Sequence, residues 1–464
     1  MPGFALLSVG EAPPGEVPPG LRVAAGRTLV ERQLRQLLHE TDAELLLLAP
    51  AVPDRLARWL ASQPRVRCVA TPEALARHLA GRVDGGLVLA PGLLIDERLI
   101  RAMARAAPGP AMLVFSGTPP EGALRLDSGT HSAGLIRLPA PLISRTALQL
   151  GDWDLGATLE RAAVEAGARR IAVESLDRYD PPRRRELPFL WARPESVADC
   201  RAATSAVIAA AQKGCLDWPA RFLHPPVENL LVRLLLPTRI TPNMVTLLTA
   251  ILGIGALAAF LIGQPLVGLG LVLLIGPLDG VDGKLARARV EYSRWGDLEH
   301  VLDKILEYGW FLAIGFWLAA QGHGIAAWLA AGGIIVFALA EATQGEFFRR
   351  FTGRQLDDWG PFERRWRLVA GRRNTFFWSL VPFAAFGLWF EGFLMILGYA
   401  LLTFAVAQWR FLKALGEHGR AVSDTVRASF AATSYAFLPK SGGGSSGVGL
   451  QGGRLEPAEP RELR

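Results

Sequence analysis

One division along the chain decides what it can fold into. From about residue 240 to residue 415 the sequence is a series of long apolar runs. Each is near the ~20 residues that carry a helix across a bilayer. Residues 1 to about 215 contain no such run and read as an ordinary soluble α/β composition. The mean hydropathy of +0.25 averages two regimes and describes neither. At 464 residues the chain exceeds one ordinary domain. The reading is a soluble front half and a membrane back half.

Charge fits that division. The net charge is +7, and most of the basic residues are arginine. In a chain with membrane spans such an excess marks loops held beside anionic lipid on the cytoplasmic side, and no nucleic-acid partner is expected. Cys68, Cys200 and Cys215 have no metal-ligand spacing and read as reduced, structural residues. Residues 1–20 lack a basic region followed by an apolar core, so no cleaved signal peptide is expected and the front half belongs in the cytoplasm.

In the front half, strands are expected at 5–9, 44–49, 66–70, 86–90, 111–115 and 170–173. Helices are expected at 29–38, 53–61, 72–79, 97–106 and 155–166. Strand and helix alternating at this spacing predict a doubly wound parallel sheet, an α/β domain over 1–213. Residues 176–200 are rich in Pro and Arg and read as an irregular edge, and a helix from about 197 to 213 leads out. Residues 214–240 mix Trp218, Arg221, Phe222 and His224 with Leu230, Leu231, Arg233 and Leu234, the pattern of an amphipathic helix in the membrane interface.

An all-α transmembrane domain of six helices is expected over 241–420, with spans near 242–262, 265–286, 297–319, 324–346, 373–390 and 393–414. Thr241 suits an N-cap and Pro242 a first helical turn. Loops at 263–264, 321–323 and 391–392 carry no Lys or Arg. The alternate ones carry Arg287, Arg289 and Arg294, then several arginines over 349–373, then Arg410, Lys413 and Arg420. That asymmetry predicts a multi-pass protein of the cell (inner) membrane with both termini cytoplasmic. The Gly- and Ser-rich tail, 421–464, reads as largely disordered.

The chemistry lies where the second span ends and the third begins. Asp279 and Asp282 are three apart and share a helix face; Glu299 and Asp303 are four apart and share another. Each carboxylate placed in a spanning helix costs on the order of several kcal/mol unless neutralised. A short basic loop makes the two helices antiparallel, so all four acids can converge near the cytoplasmic surface. Four such groups need counter-charge. Hard oxygen ligands favour magnesium, manganese or calcium over zinc. Gly280 and Gly283 leave the backbone open to a ligand, and Arg287, one turn on, suits a diphosphate. Acids in membrane spans also mark ion pathways. A transporter would spread them near the bilayer centre of several spans, whereas these cluster at one end beside an arginine.

This stretch resembles the CDP-alcohol phosphotransferase signature, D-x-x-D-G-x-x-A-R, about eight residues, then G-x-x-x-D-x-x-x-D. Asp279, Asp282, Gly283, Ala286 and Arg287 match its first part, and eight residues then lead to Gly296. The resemblance covers roughly 215–420. Two residues, not three, separate Gly296 from the next acid, and that acid is Glu299 rather than Asp; strict spacing would select His300 and Lys304. Pairing Glu299 with Asp303 keeps the four-residue interval and puts the deletion in the turn, where it is tolerated.

The resemblance implies a magnesium (or manganese) site at Asp279, Asp282, Glu299 and Asp303. It implies a nucleotide site at Gly283, Ala286 and Arg287, and Asp303 as the general base. A CDP-linked donor, CDP-diacylglycerol foremost and CDP-inositol second, would pass its substituted phosphate to a small alcohol or polyol phosphate and release CMP. Arg349, Arg350, Arg372 and Arg373 are either acceptor-phosphate ligands or positive-inside anchors. Membrane lipids are implied neighbours, and a homodimer is a family habit. A catalytically degenerate, nucleotide-binding membrane protein is the remaining alternative.

The front half resembles a sugar-phosphate nucleotidyltransferase at residues 26–34 and 190–195, as in bifunctional enzymes that make CDP-inositol and condense it with inositol phosphate. Residues 6–10 run into a Pro-rich stretch where that family has a glycine-rich loop. No lysine precedes Lys213, and Ala90 stands where a metal-binding Asp is expected. Without those charges the reacting phosphates are not neutralised, and an inactive scaffold is expected.

Overall fold

The computed structural model describes residues 2–150, 154–292, 296–352 and 355–418, with the backbone alone for 296–300, 351 and 417–418. In the front half, β1 (Phe4–Ser8), β2 (Glu44–Leu48), β3 (Val66–Val69), β4 (Gly85–Leu89), β5 (Ala111–Phe115), β6 (His131–Pro139) and β7 (Arg169–Ala172) form one sheet in the order β7-β5-β6-β4-β1-β2-β3. Six of these strands fall where the sequence places them. The seventh, β6, corrects the sheet type. It runs antiparallel to both β4 and β5, so the sheet is mixed rather than wholly parallel. No crossover helix separates β5 from β6, and an antiparallel return needs none. Its residues include Ser132, Gly134, Arg137 and Pro139, which break both the apolar run and the alternation that reveal a strand.

Helices cover both faces. α1 (Leu29–Glu40), α2 (Asp54–Ala61) and α4 (Glu97–Arg105) bury Leu34, Leu60 and Ile100 on one; α3 (Pro72–Leu79), α5 (Ala140–Leu148) and α6 (Leu155–Glu165) bury Leu75, Ile143 and Leu159 on the other. Open α/β sheets take ligands beyond the carboxyl ends of their strands. Beyond β1 and β4 that space is occupied. The Gly20 N–H donates to the Val9 carbonyl (2.8 Å), Pro91 lies against Gly10, and Pro19 lies against Gly92, where an added Cβ would come within 2.5 Å.

α7 (Val197–Ala210) leads to α8 (His224–Leu235) and then to α9 (Pro242–Leu261), α10 (Pro265–Arg289), α11 (Gly296–Leu318), α12 (Gly324–Thr352), α13 (Pro361–Val369), α14 (Arg373–Ala385) and α15 (Trp389–His418). Thr241 caps α9 by accepting from the Met244 N–H, as expected. Among the described residues, four stretches are long and apolar enough to cross a membrane: Pro242–Leu261, Pro265–Arg289, Val301–Arg350 and Trp389–Gly416. The third holds α11 and α12, separated by a turn at Ala319–His323 where Gly322 has φ +105°. The expected fifth span is α14, which has 13 residues with Pro382 inside it, short of the ~20 a span needs.

The two halves share one core. Ala25, Leu29 and Leu94 of the front domain pack with Val207 of α7, Val232 of α8 and Val281, Leu285 and Ala288 of α10. Arg289, read from sequence as a loop charge, is 2% exposed. Its guanidinium donates to the carbonyls of Ile240 (2.6 Å), Leu235 (2.5 Å), Leu236 (3.1 Å) and Thr238 (3.0 Å), which satisfies the end of α8 and the turn into α9. Arg32 of α1 does the same for α10 by donating to the Ala288 carbonyl (2.5 Å). Arg289→Met removes this donor from four carbonyls, of which Leu235 keeps the Thr238 N–H and hydroxyl. It should cost about 3 kcal/mol or more, read as a lowered unfolding temperature in detergent. Arg289→Lys should recover little, because one ammonium cannot span that set.

Candidate active site

The site is built on the cytoplasm-expected half of α10. α8 lies directly against this helix because two glycines allow it. A Cβ on Gly276 would sit 2.8 Å from His224 Cε1, and one on Gly280 would sit 2.4 Å from Glu228 Oε1. Gly280 is therefore a packing glycine, which corrects its reading as an opening for a ligand. One turn further, Lys284 is buried at 1% exposure and pairs with Glu228 Oε2 (3.0 Å) and Asn229 Oδ1 (2.7 Å). This charge pair was not legible in the sequence; the spacing of Glu228 and Lys284 carries no local signal. Burial pushes the His224 imidazole below its ordinary value; Asp217 opposes this and Arg373 adds to it.

The opposite face of α10 carries the signature carboxylates. Asp282 is 3% exposed; its Oδ2 accepts from Thr246 Oγ1 of α9 (2.8 Å) and its Oδ1 from the Gly283 N–H (2.5 Å). Asp279 accepts from Arg373 at the start of α14 (2.5 Å), and the same guanidinium lies 3.9 Å from Asp303 of α11. Arg373 thus bridges carboxylates from two helices, as a cation would. The Glu299 side chain lies outside the described residues. Arg287 donates Nε to the Ala211 carbonyl at the end of α7 (2.7 Å), and its guanidinium lies over Gly283, where a Cβ would be 3.1 Å from it. Ala286 is half-buried on the same helix.

The other basic candidates are already paired. Arg349 and Arg350 contact Glu346 (2.8 and 2.9 Å), and Arg372 contacts Glu341 (2.6 Å). Beside them opens a cavity of about 460 Å³ lined by Lys304, Arg349, Asp357, Trp366, Arg367 and Arg372, among others. Among the described residues, Asp279, Asp282 and Asp303 are not a set whose ligand atoms all lie within 4.8 Å; His39, Glu40 and Glu97 are. That front-domain set is already neutralised. Arg101 takes both Glu40 oxygens (2.7 and 2.8 Å), and Glu97 accepts from Tyr292 (2.8 Å) with Arg183 at 3.5 Å. The hard oxygens of Asp279, Asp282 and Asp303, already drawing a cation between two of them, suit a magnesium-class ion better.

Residues 239–408 match the model of the CDP-alcohol phosphatidyltransferase family, so the C-terminal part of the chain carries a domain of that family. Curated relatives include a bifunctional IPC transferase and DIPP synthase of Thermococcus kodakarensis, 30% identical over 166 residues, covering 35% of this chain and 34% of that one. A protein of the same description from Rubrobacter xylanophilus is 30% identical over 301 residues, 61% of this chain and 62% of that one. That alignment is longer than 239–464 and so reaches into the front half. Inner membrane protein YnjF of Escherichia coli is 39% identical over 121 residues, 25% of this chain and 56% of that one. The chain thus spans between about a third and three fifths of the length of these relatives.

Glu228→Gln strands the Lys284 ammonium in a buried site and should destabilise the protein by about 3–5 kcal/mol. Glu228→Leu combined with Lys284→Met removes both charges and should recover most of that loss. Chemical denaturation of the purified variants in micelles measures both.

Proposed function

We propose that this protein is a membrane transferase that moves a substituted phosphate group from a CDP-alcohol to an acceptor hydroxyl and releases CMP. The observation that carries the reading is the meeting of Asp279 and Asp303 around Arg373, with Asp282 and Arg287 further along the same end of α10. Acids of two helices with two arginines at one helix end suit a diphosphate and its metal.

In this reading Asp279, Asp282, Glu299 and Asp303 hold magnesium, which when bound neutralises charge on the diphosphate and the departing CMP. Gly283, Ala286 and Arg287 line the cytidine nucleotide. Asp303 accepts the proton of the acceptor hydroxyl. The freed oxygen bonds to the phosphorus distal to cytidine, and the bond from that phosphorus to the CMP oxygen breaks. Thr246 donates to one Asp282 oxygen and the Gly283 N–H to the other, which fixes the carboxylate in place. Arg373, between Asp279 and Asp303, is the counter-charge of these two carboxylates, and its guanidinium would suit the phosphate of an acceptor brought to the same place. The cavity beside Arg372 and Arg367 offers space for a polyol.

The reading places the chain in a membrane with six crossings, counting α11 and α12 separately and α14 as a short one, and with both termini in the cytoplasm. The donor is CDP-diacylglycerol. A second reading, CDP-inositol with inositol phosphate, is favoured by the relatives described as bifunctional IPC transferase and DIPP synthase. The front domain serves as an inactive scaffold. Prolines occupy the ligand end of its sheet, and Ala90, at 6% exposure, offers no metal ligand.

Purified protein with magnesium should release CMP from one of these donors only when one acceptor is present. Asp303→Asn should lower that rate by about hundredfold or more, and chelation should abolish it. CMP release that ignores the acceptor, or survives in Asp303→Asn, would sink the assignment. The full chain given CTP and inositol phosphate should form no CDP-inositol; formation of it would overturn the scaffold reading.

A further inference from the structure

The segment between the two halves, 211–215, is held at both ends. The Ala211 carbonyl receives Arg287 Nε (2.7 Å). The Gly214 N–H donates to the Arg183 carbonyl (2.7 Å), and a Cβ on Gly214 would lie 2.7 Å from the Arg184 carbonyl oxygen. Arg184 in turn contacts Asp357 and Gln355 (2.9 Å each), and Cys215 Sγ reaches Asp358 (3.3 Å). Gln355 and Asp357 line the large cavity. The segment is thus a strap from the signature helix to the cavity wall, and Lys213 is at its middle.

Lys213 is half-buried, and among the described residues its ammonium has no hydrogen bond or ion pair. Its charged surroundings are Arg287, Arg184, Asp279 and Asp282, the groups on both sides of the proposed chemistry. Burial lowers its ordinary value, the two arginines add to this, and the two aspartates oppose it. Arg287 is in the same condition: beyond Nε, its guanidinium has no acceptor among the described residues. Two cations that repel each other, partly desolvated and without a counter-anion, cost free energy unless an anion joins them. Asp279 and Asp282 do not supply it, since neither forms an ion pair with Lys213. The missing partner is a multiply charged anion that reaches both.

We propose that Lys213 is a phosphate-binding residue of the membrane site, its ammonium donating to a non-bridging oxygen of the donor's diphosphate opposite Arg287. This rests on the reaction proposed above. It also explains why the strap is held so closely, since a charge that reads as part of the front domain's exit then completes a site on α10.

The test uses the full chain in micelles with magnesium, as wild type, Lys213→Gln and Lys213→Arg. CMP release is measured against donor and acceptor concentration separately, and CDP affinity by its shift of the unfolding temperature. Lys213→Gln should raise the donor KM and weaken CDP binding by about tenfold or more. Its acceptor KM should stay within about twofold, and its ligand-free unfolding temperature should be no lower than the wild type's, since the substitution removes an uncompensated charge. Lys213→Arg should restore donor KM to within about threefold. Unchanged donor KM and CDP affinity in Lys213→Gln, or a change in acceptor KM alone, would overturn the assignment of Lys213 while an active wild type kept the reaction. A folded wild type that neither releases CMP nor binds CDP would overturn the reaction, and this inference with it.

Discussion

α10 must carry acids on one face while lying in an apolar setting, and the packing of α8 against it makes that possible. Gly276 and Gly280 let α8 approach until His224 and Glu228 fill the space that side chains would have taken. Glu228 then neutralises Lys284, which would otherwise be an isolated buried charge costing several kcal/mol, by order of magnitude. With that face settled, the other is free to present Asp279 and Asp282 to α9, α11 and α14. Arg289 secures the same arrangement from the chain's side, because the carbonyls it satisfies belong to the turn joining α8 to α9. The positions of Asp279 and Asp282 follow from where α10 is held.

The front domain takes part in that hold. Its Arg32 satisfies a carbonyl in the last turn of α10, and Arg27 forms an ion pair with Glu291 just beyond. The turn there is tight: Val290, a branched residue, sits at φ 55°, a conformation L residues rarely adopt. On the far side, Tyr179 and Arg184 contact Asp358 and Asp357, in the loop that walls the large cavity. A domain with prolines in its own ligand end is thus fastened to both edges of the membrane site. A shared apolar core including Leu29, Val207 and Val281 makes the two halves one packed unit.

Much of the architecture was legible because local pattern suffices for it. Six sheet strands and the front-domain helices other than α5 follow from apolar runs and helical spacing; α5, which follows directly on β6, was missed with it. β6 was not legible, since Ser132, Gly134 and Arg137 are tolerated there only by partners on both sides. The carboxylates could be named because acids are rare in spans and their spacing is specific. Their neighbours could not. Arg289 read as one more loop arginine, Arg373 as either a phosphate ligand or a membrane anchor with no sign of the carboxylates it meets, and Gly280 as an opening rather than a packing surface.

By itself the sequence determined the division into two halves, the helix that bears the signature, and the acids on it. These depend on hydropathy and on residue spacing within one helix, both local quantities. Only the tertiary structure decided which cations face which acids and why the glycines are there. It alone showed that residues as distant as Thr246 and Arg373 meet the acids of α10. Those facts depend on contacts between residues far apart in the chain, and an arginine in a sequence carries no mark of the carbonyl or carboxylate it will meet.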